Sequence, residues 1–134
     1  MTIQTHDVNG LSFAEILSET AVIETAEQGL DLVGNLYYDG HERVIFQQRH
    51  FAPAFFDLKT GLAGEVLQKF TNYRIRLAIV GDFAAYPGQS LQDFIRESNK
   101  GRQVYFAEHR EQAVRWLVGK PLPGCCGGSK RISI

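Results

Sequence analysis

The chain predicts a single α/β domain whose mixed, mostly parallel sheet is covered by helices. Two stretches carry this expectation. Between Arg74 and Trp116 an apolar strand, RIRLAIVGDF, precedes a helix opened by Ser90, a short strand, RQVYFA, and a closing helix, EQAVRWL. Strand and helix alternating through short links is the order that a helix-covered parallel sheet requires. At the other end, Ile3 and Thr5 alternate with polar neighbours, Asn9-Gly10 supplies a type I′ turn, and Leu11, Phe13 and Ile16 lead back. That is an antiparallel hairpin within the first seventeen residues.

After the hairpin, Val22 and Ile23 form a short extended piece. Thr25 stands as an N-cap with Gln28 at capping-box spacing, and Leu30, Val33, Leu36 and Tyr37 give the following helix an apolar face that Asp39-Gly40 ends. Arg43 to Gln48 is a strand centred on Val44, Ile45 and Phe46. Pro53 suits either a first helical position or a turn, and Phe55 to Thr60 either opens the next helix or forms a separate turn. From Gly61 on, Leu62, Val66, Leu67 and Phe70 make an amphipathic helix, with Gly61 and Gly64 small enough to approach the sheet. Ile75 to Val80 is almost wholly apolar, as a central strand covered on both faces should be. Gly81-Asp82 closes it, and Tyr86-Pro87-Gly88 turns into a helix capped by the Ser90/Asp93 pair, with Leu91, Phe94 and Ile95 inward and Gly101 beyond its end. Val104 and Phe106 belong to the last strand, and the last helix buries Ala113, Trp116 and Leu117. The domain is expected over residues 1–119, and residues 120–134, rich in Gly and Pro, read as a flexible tail.

With 134 residues, 44% of them hydrophobic, and nine Phe, five Tyr and one Trp, the chain can fill one core without staples. Lys and Arg number 14 against 15 Asp and Glu, so no overall field favours nucleic acid or an anionic membrane. The first ten residues lack a basic-then-apolar leader, and no window reaches the ~18–20 apolar residues that span a bilayer. A cytoplasmic protein without membrane insertion is the expectation. The two cysteines, Cys125 and Cys126, are adjacent and outside the periodic region, which fits a reducing compartment.

The order hairpin, helix, strand, helix, strand, helix, strand, helix resembles the STAS-like fold of sulphate transporters and anti-sigma-factor antagonists. LAIVGDF followed by a helix and then VYFAEHREQAVRWL resembles its SpoIIAA-like class, where a strand ending Val-Gly-Asp precedes one ending Tyr-Phe and a helix ending Ala-x-x-Trp-Leu. GLDLVGNLYY, FFDLKTGLAGEVLQKF and DFIRESNKGRQV are similar to a family of small bacterial proteins classed as a domain of unknown function, over roughly residues 1–118. The antagonists carry an Asp-Ser-Ser-Gly turn whose second Ser is phosphorylated by a partner kinase. The resemblance aligns it with Asp57-Leu58-Lys59-Thr60-Gly61-Leu62 and implies Thr60 as the phosphorylated hydroxyl, although Leu58 and Lys59 separate it from Asp57 and the paired serines are absent. A helix start stabilises added phosphate charge. Read from the residues alone, Thr60 is the N-cap of the helix from Leu62 to Phe70.

Asp82, at the end of a parallel strand, stands where open α/β sheets place ligands, and also where turns favour Asp. No GxGxxG, GxxxxGK[ST] or GxSxG arrangement occurs, which removes the usual support for dinucleotide, nucleoside triphosphate and esterase chemistry. His6, His41, His50 and His109 have no metal-site spacing and read as surface or loop residues. Lys59, Lys69, Arg74 and Arg76, interleaved with Phe70 and Tyr73, read as a solvated face over core aromatics. Phe51, Phe55 and Phe56 gather around Pro53 and either line a pocket, form an exposed patch or pack over the sheet edge.

The expectation is therefore a non-enzymatic, cofactor-free regulatory module that binds a protein partner or a small apolar ligand through Phe51, Phe55, Phe56, Asp57, Lys59, Thr60, Gly61 and Asp82. The rival readings are a small enzyme using Asp57 or Asp82 as acid or base, and a phospho-switch through Thr60. The N-terminal hairpin and Arg102 to Ala107 are the strand edges through which a homodimer would pair.

Overall fold

A computed structural model describes residues 2–8, 10–86 and 88–118. Asn9 of the expected turn, Pro87 and the tail with Cys125 and Cys126 lie outside the described residues. The elements are β1 (Thr2–Val8), β2 (Leu11–Leu17), α1 (Ala26–Tyr38), β3 (Arg43–Gln47), α2 (Leu62–Asn72), β4 (Arg76–Val80), α3 (Gln89–Lys100), β5 (Val104–Ala107) and α4 (Arg110–Leu117). The five strands lie in chain order across one sheet, β1-β2-β3-β4-β5. β1 and β2 are antiparallel, and each later pairing is parallel.

Consecutive order decides where the helices go. Parallel crossovers are right-handed in nearly all proteins, so strands laid down in one direction carry their connecting helices to one face. Leu32, Val33 and Leu36 of α1, Val66, Leu67 and Phe70 of α2, and Leu91 and Ile95 of α3 accordingly share one core with Val44, Phe46, Leu77, Ile79, Val104 and Phe106 of the strands. The alternate strand residues, Ile45, Ala78, Val80 and Ala107, face the other way and meet Phe13 of β2 and Ala113 and Leu117 of α4. Two covered faces explain why β3 and β4 are apolar runs and not alternating ones. Phe46 and Phe70 are wholly enclosed, each contributing roughly 1.5–3 kcal/mol by burial.

Local chemistry sets the helix ends. Thr25 Oγ1 accepts from the Gln28 N–H at 3.1 Å, while Gln28 Oε1 accepts from the Glu24 N–H, one residue beyond the Thr25 N–H that a capping box would use. At the far end Gly40 (φ 83) donates to Tyr37 O and His41 to Leu36 O, a Schellman closure. α2 ends in the same way with Arg74 in the left-handed region (φ 57): Arg74 donates to Thr71 O and Ile75 to Phe70 O.

Several expectations need correction. α1 buries Gly29, Leu32, Val33 and Leu36, whereas Leu30 and Tyr37 are exposed. Gly29, without a side chain, lets α2 approach until a Cβ would stand 3.3 Å from Val66, so the buried stripe is rotated toward Gly29. Gly61 and Gly64 make no close approach to the sheet. α3 begins at Gln89 with Gly88 as its N-cap, and Asp93 accepts from Gln89 and Arg96 in place of closing a box with Ser90. The N-cap of α2 is Gly61 (φ 76); Thr60, one residue earlier, accepts from the Leu62 N–H. Phe55 to Thr60 is separate from α2, since Pro53–Phe56 and Leu58–Thr60 are two 3-10 turns. Trp116 is half-buried, stacked on Tyr105 with the Arg76 guanidinium 4.3 Å above its ring. Arg76 donates to the carbonyls of Trp116 and Leu117 at the end of α4 as well as to Arg102 O, so it latches α4 to the sheet and is no part of a solvated face.

Candidate functional site

The carboxyl ends of β2, β3 and β4 open on the same side, and the segments that follow them build a cleft of about 610 Å3. Ala21 comes from the segment after β2. Gln47, Gln48, Arg49, Phe51, Pro53 and Phe56 come from the end of β3 and the turns after it, and Val80, Gly81 and Tyr86 from β4 and its exit.

Backbone bonds hold these walls. Val22 and Ile23 donate to His50 O, and Ala52 donates to Ile23 O at 3.0 Å, joining the segments after β2 and β3 in a short parallel bridge. His50 is the fully enclosed side chain beneath this bridge. Its Nδ1 accepts from the Gln47 N–H at 2.9 Å and its Nε2 donates to Ser18 O at 2.9 Å. Both bonds together require the neutral, Nε2-protonated imidazole. Burial is the main cause that holds its pKa below the ordinary value of 6.5; the Ser18 bond opposes the shift and the neighbouring Arg49 charge adds to it. The surface or loop role expected for His50 is thus corrected, since it is a fully buried clamp between the segments after β2 and β3.

Phe51, Phe55 and Phe56 are buried, which removes the exposed-patch alternative. Phe51 and Phe55 stand 4.3 Å apart between centroids, and Phe56 lies 5.0 Å from Tyr86 at an interplanar angle of 25°. Phe51 and Phe56 line the cleft, while Phe55 lies in the core behind them. Gln48 braces the other wall: its Nε2 donates to the Tyr86 hydroxyl and its Oε1 accepts from the Asp82 N–H at 3.0 Å. Gly81 makes this fit possible, since a Cβ there would stand 2.5 Å from Gln48 Cβ.

The remaining expected site residues lie outside the cleft lining. Asp57 is exposed and its carboxylate accepts from the Lys59 N–H. Lys59, Gly61 and Asp82 are exposed as well. The Thr60 hydroxyl donates to Ala54 O and Asp57 O and accepts from Leu62, tying the 3-10 turns to the start of α2. Conversely Gln47, Gln48, Arg49 and Tyr86 line the cleft without having been singled out. The available signal was positional: QQRH follows the buried VIF of β3 directly, at the strand end where α/β sheets place ligands.

Outside the cleft, Glu15 on β2 is bridged by two bonds from Arg110 at 3.0 and 2.9 Å and contacts His6 at 2.8 Å. The Arg110 bond is the main cause holding its carboxyl below the usual range. Among the described residues, no group of three or more His, Cys, Asp or Glu is placed to hold a metal ion, and no helix is long and apolar enough to cross a membrane.

No curated protein and no solved structure matches the chain. A family model matches residues 8–117, from the end of β1 to the last residue of α4, so it takes in every element that lines the cleft. The chain belongs to the family described as Domain of unknown function (DUF4180).

Proposed function

We propose that the chain is a non-enzymatic, STAS-like regulatory module of the bacterial cytoplasm, and that it takes a small, largely apolar ligand in the cleft at the carboxyl ends of β2, β3 and β4. The observation that carries this reading is the cleft itself, with Phe51, Phe56 and Tyr86 as apolar walls and Gln47, Gln48 and Arg49 as its polar groups. An apolar lining with a few convergent polar groups is the usual makeup of a small-molecule site. The STAS-like assignment draws its support from the order of elements, a hairpin followed by helix and strand in alternation.

The binding reading is favoured over the acid-base one because neither Asp57 nor Asp82 lines the cleft. The Thr60 switch has an exposed residue in its favour, but the hydroxyl is already committed to Ala54, Asp57 and Leu62. The test is amide NMR of the 15N-labelled protein titrated with indole, 2-naphthol and phenylacetate. Saturable shifts confined to residues 47–56 and 80–86 are expected from at least one probe. No saturable shift from any of them at millimolar concentration would overturn the small-ligand reading, and shifts produced only by a co-purifying protein would replace it with a docking surface.

A further inference from the structure

We infer that the ligand of this cleft is an organic anion, with its apolar body between Phe51, Phe56 and Tyr86 and its charged end at Arg49; the inference rests on the small-ligand reading above and adds the charge. Among the described residues Arg49 is the one charged side chain of the lining, and no Asp or Glu belongs to the walls. The Arg49 Nε donates to Ser18 O at 3.0 Å, the carbonyl that also receives the His50 bond. That tether fixes the side chain at the cleft and leaves the terminal guanidinium N–H groups for another acceptor. Among the described residues Arg49 has no carboxylate within salt-bridge reach, which it shares with Arg43, Arg74, Arg76, Arg102 and Arg115; what sets it apart is that its uncompensated charge lines the cleft.

The neighbouring polar groups favour the same sign of charge. Gln48 has both ends of its amide engaged, its nitrogen with Tyr86 and its oxygen with the Asp82 N–H. Because the Tyr86 oxygen accepts from Gln48, its own proton is left to donate, and among the described residues it has no acceptor. The described lining therefore offers a guanidinium and a phenolic O–H and no fixed negative charge. Carboxylate, sulfonate and phosphate groups accept from both kinds of donor, with charge-assisted bonds to the guanidinium. A cationic ligand could use the ring faces of Phe51, Phe56 and Tyr86 but would be repelled by Arg49 and find no carboxylate partner among the described lining residues.

The experiment compares 8-anilinonaphthalene-1-sulfonate with N-phenyl-1-naphthylamine, which has the same aromatic body and no sulfonate. Both are titrated by fluorescence into the full chain and into Arg49→Gln, Arg49→Lys and Arg115→Gln. The sulfonate should bind the parent more tightly than the neutral dye. Arg49→Gln should weaken the sulfonate roughly tenfold or more, the scale of one charge-assisted hydrogen bond, and leave the neutral dye unchanged. Arg49→Lys should recover part of the loss, and Arg115→Gln, on the exposed side of α4, should change neither dye. Equal binding of both dyes, unaffected at Arg49, would overturn the anion inference while the small-ligand reading stands. Sulfonate binding lost in Arg115→Gln and kept in Arg49→Gln would place the anion site elsewhere and overturn it too. Failure of both dyes to bind would remove the inference and the reading beneath it together.

Discussion

Two glycine-to-alanine substitutions should move stability in opposite directions, and the contact distances say by how much. Gly34 lies in the middle of α1, and a Cβ there meets nothing within 4 Å. Gly34→Ala should therefore give the full helix-propensity gain, about 0.5–1 kcal/mol. At Gly81 the same methyl would stand 2.5 Å from Gln48 Cβ and 2.5 Å from Gln48 Oε1. The Cβ is fixed to the backbone of the turn after β3, so relief requires the ends of β3 and β4 to separate by about 1 Å, which costs ~1–3 kcal/mol as overpacking. Displacing Gln48 also breaks its bond to the Asp82 N–H, adding about 1 kcal/mol. Gly81→Ala should thus lose about 2–4 kcal/mol, or roughly 1–2 M in urea midpoint at a slope near 2 kcal/mol/M. Urea unfolding followed by far-UV circular dichroism measures both. A Gly81→Ala midpoint at or above the parent's would refute the account of how the cleft wall is packed.

His50 and Glu15 should both titrate below their ordinary values, for different reasons: burial disfavours the imidazolium, and Arg110 favours the carboxylate. For His50, burial disfavours the imidazolium, so the folded pKa lies below the 6.5 of the unfolded chain and the folded state binds fewer protons. Its contribution to stability is complete above pH 6.5 and is lost as pH falls from there through the folded value; 15N imidazole shifts should show Nε2 protonated and Nδ1 bare at pH 6.5, and an equal mixture of tautomers or a titration at or above 6.5 would contradict the clamp. Replacing Arg110 by Ala should raise the Glu15 carboxyl toward its ordinary 4.5, since that side chain is the largest cause of the depression. With Arg110 half-exposed, the pair should account for no more than about 1 kcal/mol, and an unmoved 13C carboxyl titration would show that Arg110 does not hold Glu15.

Much of the architecture is legible in the sequence because it depends on chain-local signals. The unbroken VIF and LAIV runs mark strands covered on both faces, Gly40 marks the end of α1, and the spacing of Leu62, Val66 and Phe70 marks α2. What was missed depends on approach between segments distant in sequence. The face of α1 turns on Gly29, whose missing side chain matters only because Val66 is there to fill the space. Leu30 and Tyr37 fit the helical period equally well and end up exposed. His50 reads as an ordinary loop histidine until Ser18, at the end of the neighbouring β2, supplies its second bond. The cleft was half visible for the same reason: its aromatic wall is clustered in sequence from Phe51 to Phe56, whereas Gln48, Gly81 and Tyr86 meet only when β3 and β4 pair.

The strand order has a bearing on synthesis. Each strand pairs with the strands immediately before and after it in the chain, so a chain emerging from its N-terminus always presents the template for the next strand before that strand appears. The two faces are served unequally by this schedule. The face that takes α1, α2 and α3 is covered stepwise, one helix per added strand, while Ile45, Ala78 and Val80 on the reverse have no helix of their own until α4 emerges. The final eight-residue helix is the closing panel for that side, and Arg76, already waiting in β4 for the carbonyls of Trp116 and Leu117, is the catch on which it shuts.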